Sequence, residues 1–505
     1  VRACRWPPRG LTVAAALLFV WQTALVAAFP ASASALGANK FDLMLDYAAP
    51  APPAGADPAG YRRVRRAMAE KAILDARDAG LTFFRVAVTG YGPTEFGASR
   101  HDLSLWQNDP PQFWAALDRM FDDLDAAGIR LVPSFVWNLA QFPALGNDTT
   151  ATFLRDPDSA SRGLLAQFLR DFIGRYKARK TILFYELGNE LSLLADLDEH
   201  KRNCKADPCV WGNFTTADMN EFARRIAGSI KSLDPSRGVS SGYSVPRGNA
   251  THLEHQPEFS ARGADWTPDT AQEFARNLIA IHQPFDIVSI HVYPEKVPRP
   301  SGRDPGETFD PVARAAEAAR AAGKKLFVGE FGDEGVARPH IAHLLDEIVR
   351  ERVDFAAIWV WEFYQTSTYT RAPGFNIEPG YDDDVISLLT QTATRAGMAP
   401  PPRKAAAPRV VLTWPLPCAA IDRSVELAAV ASDGARRIER VEFLVDGQPL
   451  AASAAPPYRA AFDPAGQAPH IAEIEARGIA ASGATAAFRS TVHLNGDKSR
   501  CGPTD

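Results

Sequence analysis

The sequence predicts an α/β protein: a parallel (β/α)8 TIM barrel followed by a small all-β sandwich. Three observations carry this. From Phe41 to Gly397, short apolar runs alternate with helix-like amphipathic stretches, as in a strand–helix repeat. Several of those stretches end at a glycine just before the next apolar run, a common helix stop. After Gly397 the texture changes to a Pro- and Ala-rich segment, then to short runs with period-two patterning. A doubly wound sheet would show a similar alternation, but no Gly-rich phosphate fingerprint follows the first apolar run.

The chain opens with three arginines in "VRACRWPPRG", the apolar run "LTVAAALLFVWQTALVAAF" and the small residues "ASASA". This is the layout of a secretory signal peptide over residues 1–35, cut after Ala33 or Ala35. An uncleaved membrane anchor is the alternative. A bacterial chain, secreted or periplasmic, is expected. Eight strand candidates follow over residues 36–397: "FDLMLDY" (41–47), "LTFFRVAV" (81–88), "IRLVPSFVW" (129–137), "TILFYEL" (181–187), "GVSSGYS" (238–244), "FDIVSIHVY" (285–293), "KKLFVGEF" (324–331) and "FAAIWVWEF" (355–363). Helices are expected between them, for example in "PQFWAALDRMFDDLDAAG" and "RPHIAHLLDEIVRERV". Residues 398–408 are the expected linker. Residues 409–505 hold about seven short strand candidates, with Asp446-Gly447 as a hairpin turn, and read as an immunoglobulin-like sandwich.

Composition sets limits. With 505 residues, two domains are natural, and 46% hydrophobic with 23% charged residues suits a globular protein. A net charge of -5 gives no reason to expect a nucleic-acid partner. Beyond Cys4, the even set Cys204, Cys209, Cys418 and Cys501 reads as two disulfides, the first closing "CKADPC" and the second joining the ends of the sandwich. A metal site at Cys204 and Cys209 would need a second ligand pair, which the neighbouring sequence lacks.

The chemistry concentrates at two strand ends. "YELGNE" (185–190) closes an apolar run with two glutamates and an asparagine, which a core strand cannot bury cheaply unless they are paired or working. "FVGEFG" places Glu330 at the same level of the seventh strand candidate. In such a barrel the chemistry sits at the C-terminal strand ends. Two carboxylates from separate strands over one mouth are what glycosidic bond cleavage requires.

"ELGNE", "HVY", "GEFG" and "WVW", on the fourth, sixth, seventh and eighth strand candidates, look like the retaining glycoside hydrolases of clan A. The cellulase and mannanase family 5 is the nearest resemblance, over about Phe41 to Gly397. The resemblance implies Glu190 as general acid/base and Glu330 as nucleophile. It also implies Asn189 on the sugar 2-hydroxyl, Arg85 beside Glu330, Tyr293 bonding the nucleophile, His291 lining the mouth, and Trp361 as the aromatic floor. Glu186 is expected to be a buried carboxylate near Arg85. The sequence departs from many family members at Leu191, where proline is common, and in "SFVWN", which lacks a histidine. The sandwich resembles the immunoglobulin-like modules appended to many secreted glycosidases.

The expected activity is retaining cleavage of a β-linked glucan, mannan or related glycan by an exported monomer. No metal or organic cofactor, no nucleic-acid partner and no stable membrane insertion are expected. The alternatives are a transglycosidase on the same scaffold and a non-catalytic carbohydrate-binding surface protein.

Overall fold

The computed structural model describes residues 34–49, 52–53, 56–91, 103–205, 209–293, 310–364, 371–398 and 407–496. Eight parallel strands close into a barrel in chain order: β1 (Ala35–Asn39), β2 (Phe83–Ala87), β3 (Arg130–Val136), β4 (Tyr185–Gly188), β5 (Val239–Ser240), β6 (Ile287–Val292), β7 (Lys325–Phe331) and β8 (Phe355–Ile358). Seven of the eight fall inside the sequence-predicted segments or overlap them. The first does not. "FDLMLDY" forms the helix Leu43–Ala48 instead, and β1 takes the last residue of the expected leader, Ala35, with the four residues that follow it. The helix is buried on every side, which hides its amphipathic signature. Asp42 and Asp46, four apart, share one face and both pair with Lys40, at 2.8 and 3.2 Å. Gly37 keeps β1 against β2: a Cβ there would lie 2.7 Å from the Phe83 ring. The leader segment up to Ala33, and most of the 398–408 linker, lie outside the described residues.

The barrel interior is layered. Phe83, Val132, Phe184, Phe327 and Phe355 fill the end from which the strands start. Phe184 contacts Phe327 and Phe355 at 5.2 and 4.9 Å between ring centres. Toward the strand C-termini the interior turns polar, and register aligns its groups. Asn39 stands beside Arg85, Ser134 beside Glu186, and His291 beside Glu330. The surrounding helices start and stop as the sequence expects. Thr215 and Thr270 form capping boxes with Asp218 and Glu273, and Gly128 ends the helix Pro110–Ala127 at φ 72°.

The C-terminal lobe is a sandwich of a three-stranded sheet and a five-stranded sheet. The first contains β9 (Pro408–Trp414), β11 (Val425–Asp433) and β14 (Tyr458–Phe462). The second contains β10 (Ala420–Ile421), β12 (Arg440–Val445), β13 (Gln448–Ser453), β15 (His470–Ile479) and β16 (Thr485–Leu494). Asp446 and Gly447, both at positive φ, turn β12 into β13 as their residue types predict.

The sandwich packs on the helix Pro58–Asp78. Val64 and Met68 meet Val411, Leu416 and Val430 in one apolar cluster. Arg409 pairs with Asp75 and Asp78, and Ser432 donates to Asp75 at 2.8 Å. From Asp75 the charges run inward: Lys71 Nζ lies 2.8 Å from both Asp75 and Glu362. Burial pushes the Glu362 carboxyl up to about 8 despite Lys71, and Asp75 and Glu378 add to the rise. The folded protein therefore keeps a proton that the unfolded chain, titrating near the ordinary 4.5, has released. This stabilising contribution is complete below the unfolded value and is lost as pH rises toward about 8. Glu362→Gln should flatten the decline of unfolding free energy from about pH 5 to 8 by a slope approaching roughly 1.4 kcal/mol per pH unit, read by urea denaturation. Parallel curves for the variant and the wild type would mean that the carboxyl is already ionised in the fold.

Candidate active site

Arg85, on β2, organises the polar end of the barrel. It is wholly buried, and all five of its N–H groups find acceptors. Nε donates to Glu186 at 2.8 Å, Nη1 to Asn39 at 3.1 Å and to Glu330 at 2.7 Å, and Nη2 to Asn189 at 2.9 Å and to the Gly188 carbonyl at 3.5 Å. The Trp137 ring covers the guanidinium, with Cζ 4.5 Å from the ring centre. One side chain thus ties β1, β4 and β7 together at a single level. Glu186 is the buried partner of Arg85; its own burial pushes its carboxyl up, against the pull of Arg85.

Glu330, inside β7, is 5% exposed, and both its oxygens accept hydrogen bonds: Oε1 from Arg85 and Oε2 from Tyr293 at 2.6 Å. Burial and the adjacent carboxylate hold the Tyr293 phenol well above its usual range, so it stays a donor. Glu190 follows β4 at φ 52°, and its side chain is 34% exposed. His291 Nδ1 stands between the two glutamates, 2.9 Å from Glu190 Oε1 and 3.5 Å from Glu330 Oε1. Burial pulls His291 down to about 3, which keeps the ring neutral. Gly329 leaves room for that ring, since a Cβ there would lie 2.8 Å from His291 Nε2.

One ligand-capable atom from each of Glu190, His291 and Glu330 falls within 4.8 Å of the other two. These residues open into a cleft of about 1180 Å³ that Asn189 and Tyr293 also line. Asn189 gives its carbonyl oxygen to Arg85, which leaves its NH2 group to donate elsewhere.

Six of the seven sequence-predicted site residues converge here: Arg85, Asn189, Glu190, His291, Tyr293 and Glu330. Trp361 does not. It is wholly buried, its indole N–H donating to the Ala72 carbonyl at 3.0 Å. The cleft ring is Trp359, which stacks on Phe41 at 5.1 Å and 15° between planes. Strand alternation misleads at this point because β8 ends at Ile358, so the two-residue period no longer applies at Trp359 and Trp361. Trp137 joins the same stack, 5.6 Å from Phe41. Trp211 also lines the cleft, whereas Trp266 is largely exposed. Asn39 went unread because the first strand was misplaced. Its signal is a lone amide ending the short apolar run "ALGAN".

Cys204 and Cys209 form the expected disulfide, in the segment that brings Asn203 and Trp211 to the cleft. The second expected pair includes Cys501, which lies outside the described residues.

Residues 408–476 match the family model of the bacterial Ig domain. The C-terminal sandwich is a bacterial immunoglobulin-like domain. The match ends within β15, so the last strand of the immunoglobulin-like domain lies beyond it. Among solved structures, the chain is similar to the endo-β-1,4-mannanase from Thermotoga petrophila, at 16% identity and TM-score 0.45, covering 91% of this chain and 98% of that one. It is similar to the endo-1,4-β-mannanase from Rhizomucor miehei at 16% identity and TM-score 0.47, covering 72% and 95%. A glycoside hydrolase family 5 mannosidase, also from Rhizomucor miehei, aligns at 13% identity and TM-score 0.47, covering 71% and 93%. No curated protein matches the chain. No described helix is long and apolar enough to cross a membrane.

Proposed function

We propose that the chain is an exported retaining glycoside hydrolase that cleaves O-glycosidic bonds in a β-linked glucan, mannan or related glycan. The observation that carries this reading is the approach of the Glu190 and Glu330 carboxylates, to within 4.8 Å at one oxygen of each. Direct attack needs carboxyl groups about 5–5.5 Å apart, whereas a water-mediated single displacement needs roughly 6.5–9.5 Å. In the first step a Glu330 oxygen bonds to the anomeric carbon while the C–O bond to the leaving sugar breaks, and Glu190 gives its proton to the leaving oxygen. In the second, Glu190 takes a proton from water, whose oxygen replaces Glu330 on the same carbon. The free NH2 of Asn189 is placed to donate to the sugar 2-hydroxyl, and the Trp359 ring offers a face for the apolar side of the reacting sugar. Export is supported by the leader-like first segment and by the Cys204–Cys209 bond, which needs an oxidising compartment.

Two measurements test the reading. Proton NMR during cleavage of a β-linked substrate should show the β anomer forming first; the α anomer as first product would refute double displacement. Glu190→Ala should slow cleavage of natural glycosides by about 10³-fold, and far less for aryl glycosides whose leaving group needs no proton. Equal slowing of both would remove Glu190 from the acid role.

A further inference from the structure

We infer that the leaving-group side of the cleft binds a sugar carrying a carboxylate, held by Arg247. This rests on the hydrolase reading and adds the substrate's charge to it. A general acid stands on the side of the departing sugar, so the space beyond Glu190 receives that sugar or its branches. Such a space exists: a side pocket of about 490 Å³, whose polar lining is Asn189, Glu190, Glu199, Arg202 and Arg247, continues the main cleft.

Two cations face it, and they differ in kind. Arg202 is already neutralised, with Glu258 at 2.5 Å and Glu199 at 3.3 Å. Arg247 is half-buried, and among the described residues no carboxylate pairs with it. Its Nη2 donates to the Leu193 carbonyl, which fixes the plane of the guanidinium and leaves its other edge open. Burial and the neighbouring Arg202 weaken its hold on its proton, against a smaller opposing pull from Glu199 and Glu258, both of which are already bonded to Arg202. A partly desolvated guanidinium without an anion is costly, and a carboxylate fits its fork through two parallel hydrogen bonds. A neutral sugar hydroxyl would satisfy the donors without offsetting the charge.

The test uses glucuronoxylan, xanthan and gellan, each paired with the same polymer after chemical reduction of its carboxyl groups to alcohols. Affinity gel electrophoresis of the full chain reads binding without requiring turnover. At least one acidic polymer should retard the wild type at about tenfold lower concentration than its reduced partner. Arg247→Gln should shrink that preference to within about twofold, with an unchanged circular dichroism spectrum, and Arg247→Lys should fall between them. The proposal is overturned if no acidic polymer binds, if the reduced polymers bind as well, or if Arg247→Gln weakens both members of a pair equally. Cleavage of the same polymers is scored separately. Acid-selective binding with no cleavage of any polymer would count against the hydrolase and spare the Arg247 site; cleavage without acid preference would do the reverse.

Discussion

Glu330→Ala is expected to lower turnover by about 10⁴-fold or more while the protein still folds. The loss is large because the described groups that touch Glu330 cannot take over its bond to the anomeric carbon: Arg85 is a cation, His291 is neutral and buried, and Tyr293 is a donor. The stability change should be small in comparison. Glu330 is one of four carbonyl or carboxyl side chains that share Arg85, and water can enter from the cleft to replace it. Azide supplies a direct check. In the space left by the side chain it should restore cleavage of an activated aryl β-glycoside and give an α-glycosyl azide. A variant that keeps wild-type turnover, or a rescued product of β configuration, would show that Glu330 is not the nucleophile.

Arg85→Ala should have the largest combined effect, costing about 3–5 kcal/mol of folding stability as well as activity. The stability loss follows from Glu186, which is wholly buried and would be left without its cation. The activity loss follows from Glu330 and Asn189, whose oxygens are held by the two Nη atoms. The two effects separate in a double variant. Adding Glu186→Gln should restore most of the unfolding free energy, measured in urea, and none of the activity. Recovery of activity in that double variant would place the importance of Arg85 in packing alone.

Much of this arrangement was readable from the chain. Strands β2 to β4 and β6 to β8 announce themselves because both faces of each are buried, giving short apolar runs between helices of clear period. Glu190 and Glu330 stand out because a charge at the end of such a run has no structural excuse. Reading failed where local pattern and environment part company. The helix Leu43–Ala48 is buried all round, its one acidic face turned inward on Lys40, so it shows no solvent side, and β1 has no β-branched or aromatic residue to mark it as a strand. Trp359 and Trp361 have the same spacing and residue type. Only the end of β8 decides which of them meets the cleft, and that end depends on pairing with β1 and β7. Arg247 carries no motif at all; its interest comes from its place in the cleft, where among the described residues no carboxylate pairs with it.

The seam between the two lobes changes what the appended domain is for. Arg409 brings a counter-charge to Asp75, Asp75 shares Lys71 with Glu362, and Glu362 follows the cleft ring Trp359 by three positions. The immunoglobulin-like domain is therefore tied by a buried chain of charges to the segment that carries a cleft-lining ring, rather than hung at the end of a tether. Shortening the protein to its barrel would strip a cation from this buried carboxylate cluster. Electrostatically, the two lobes are one unit.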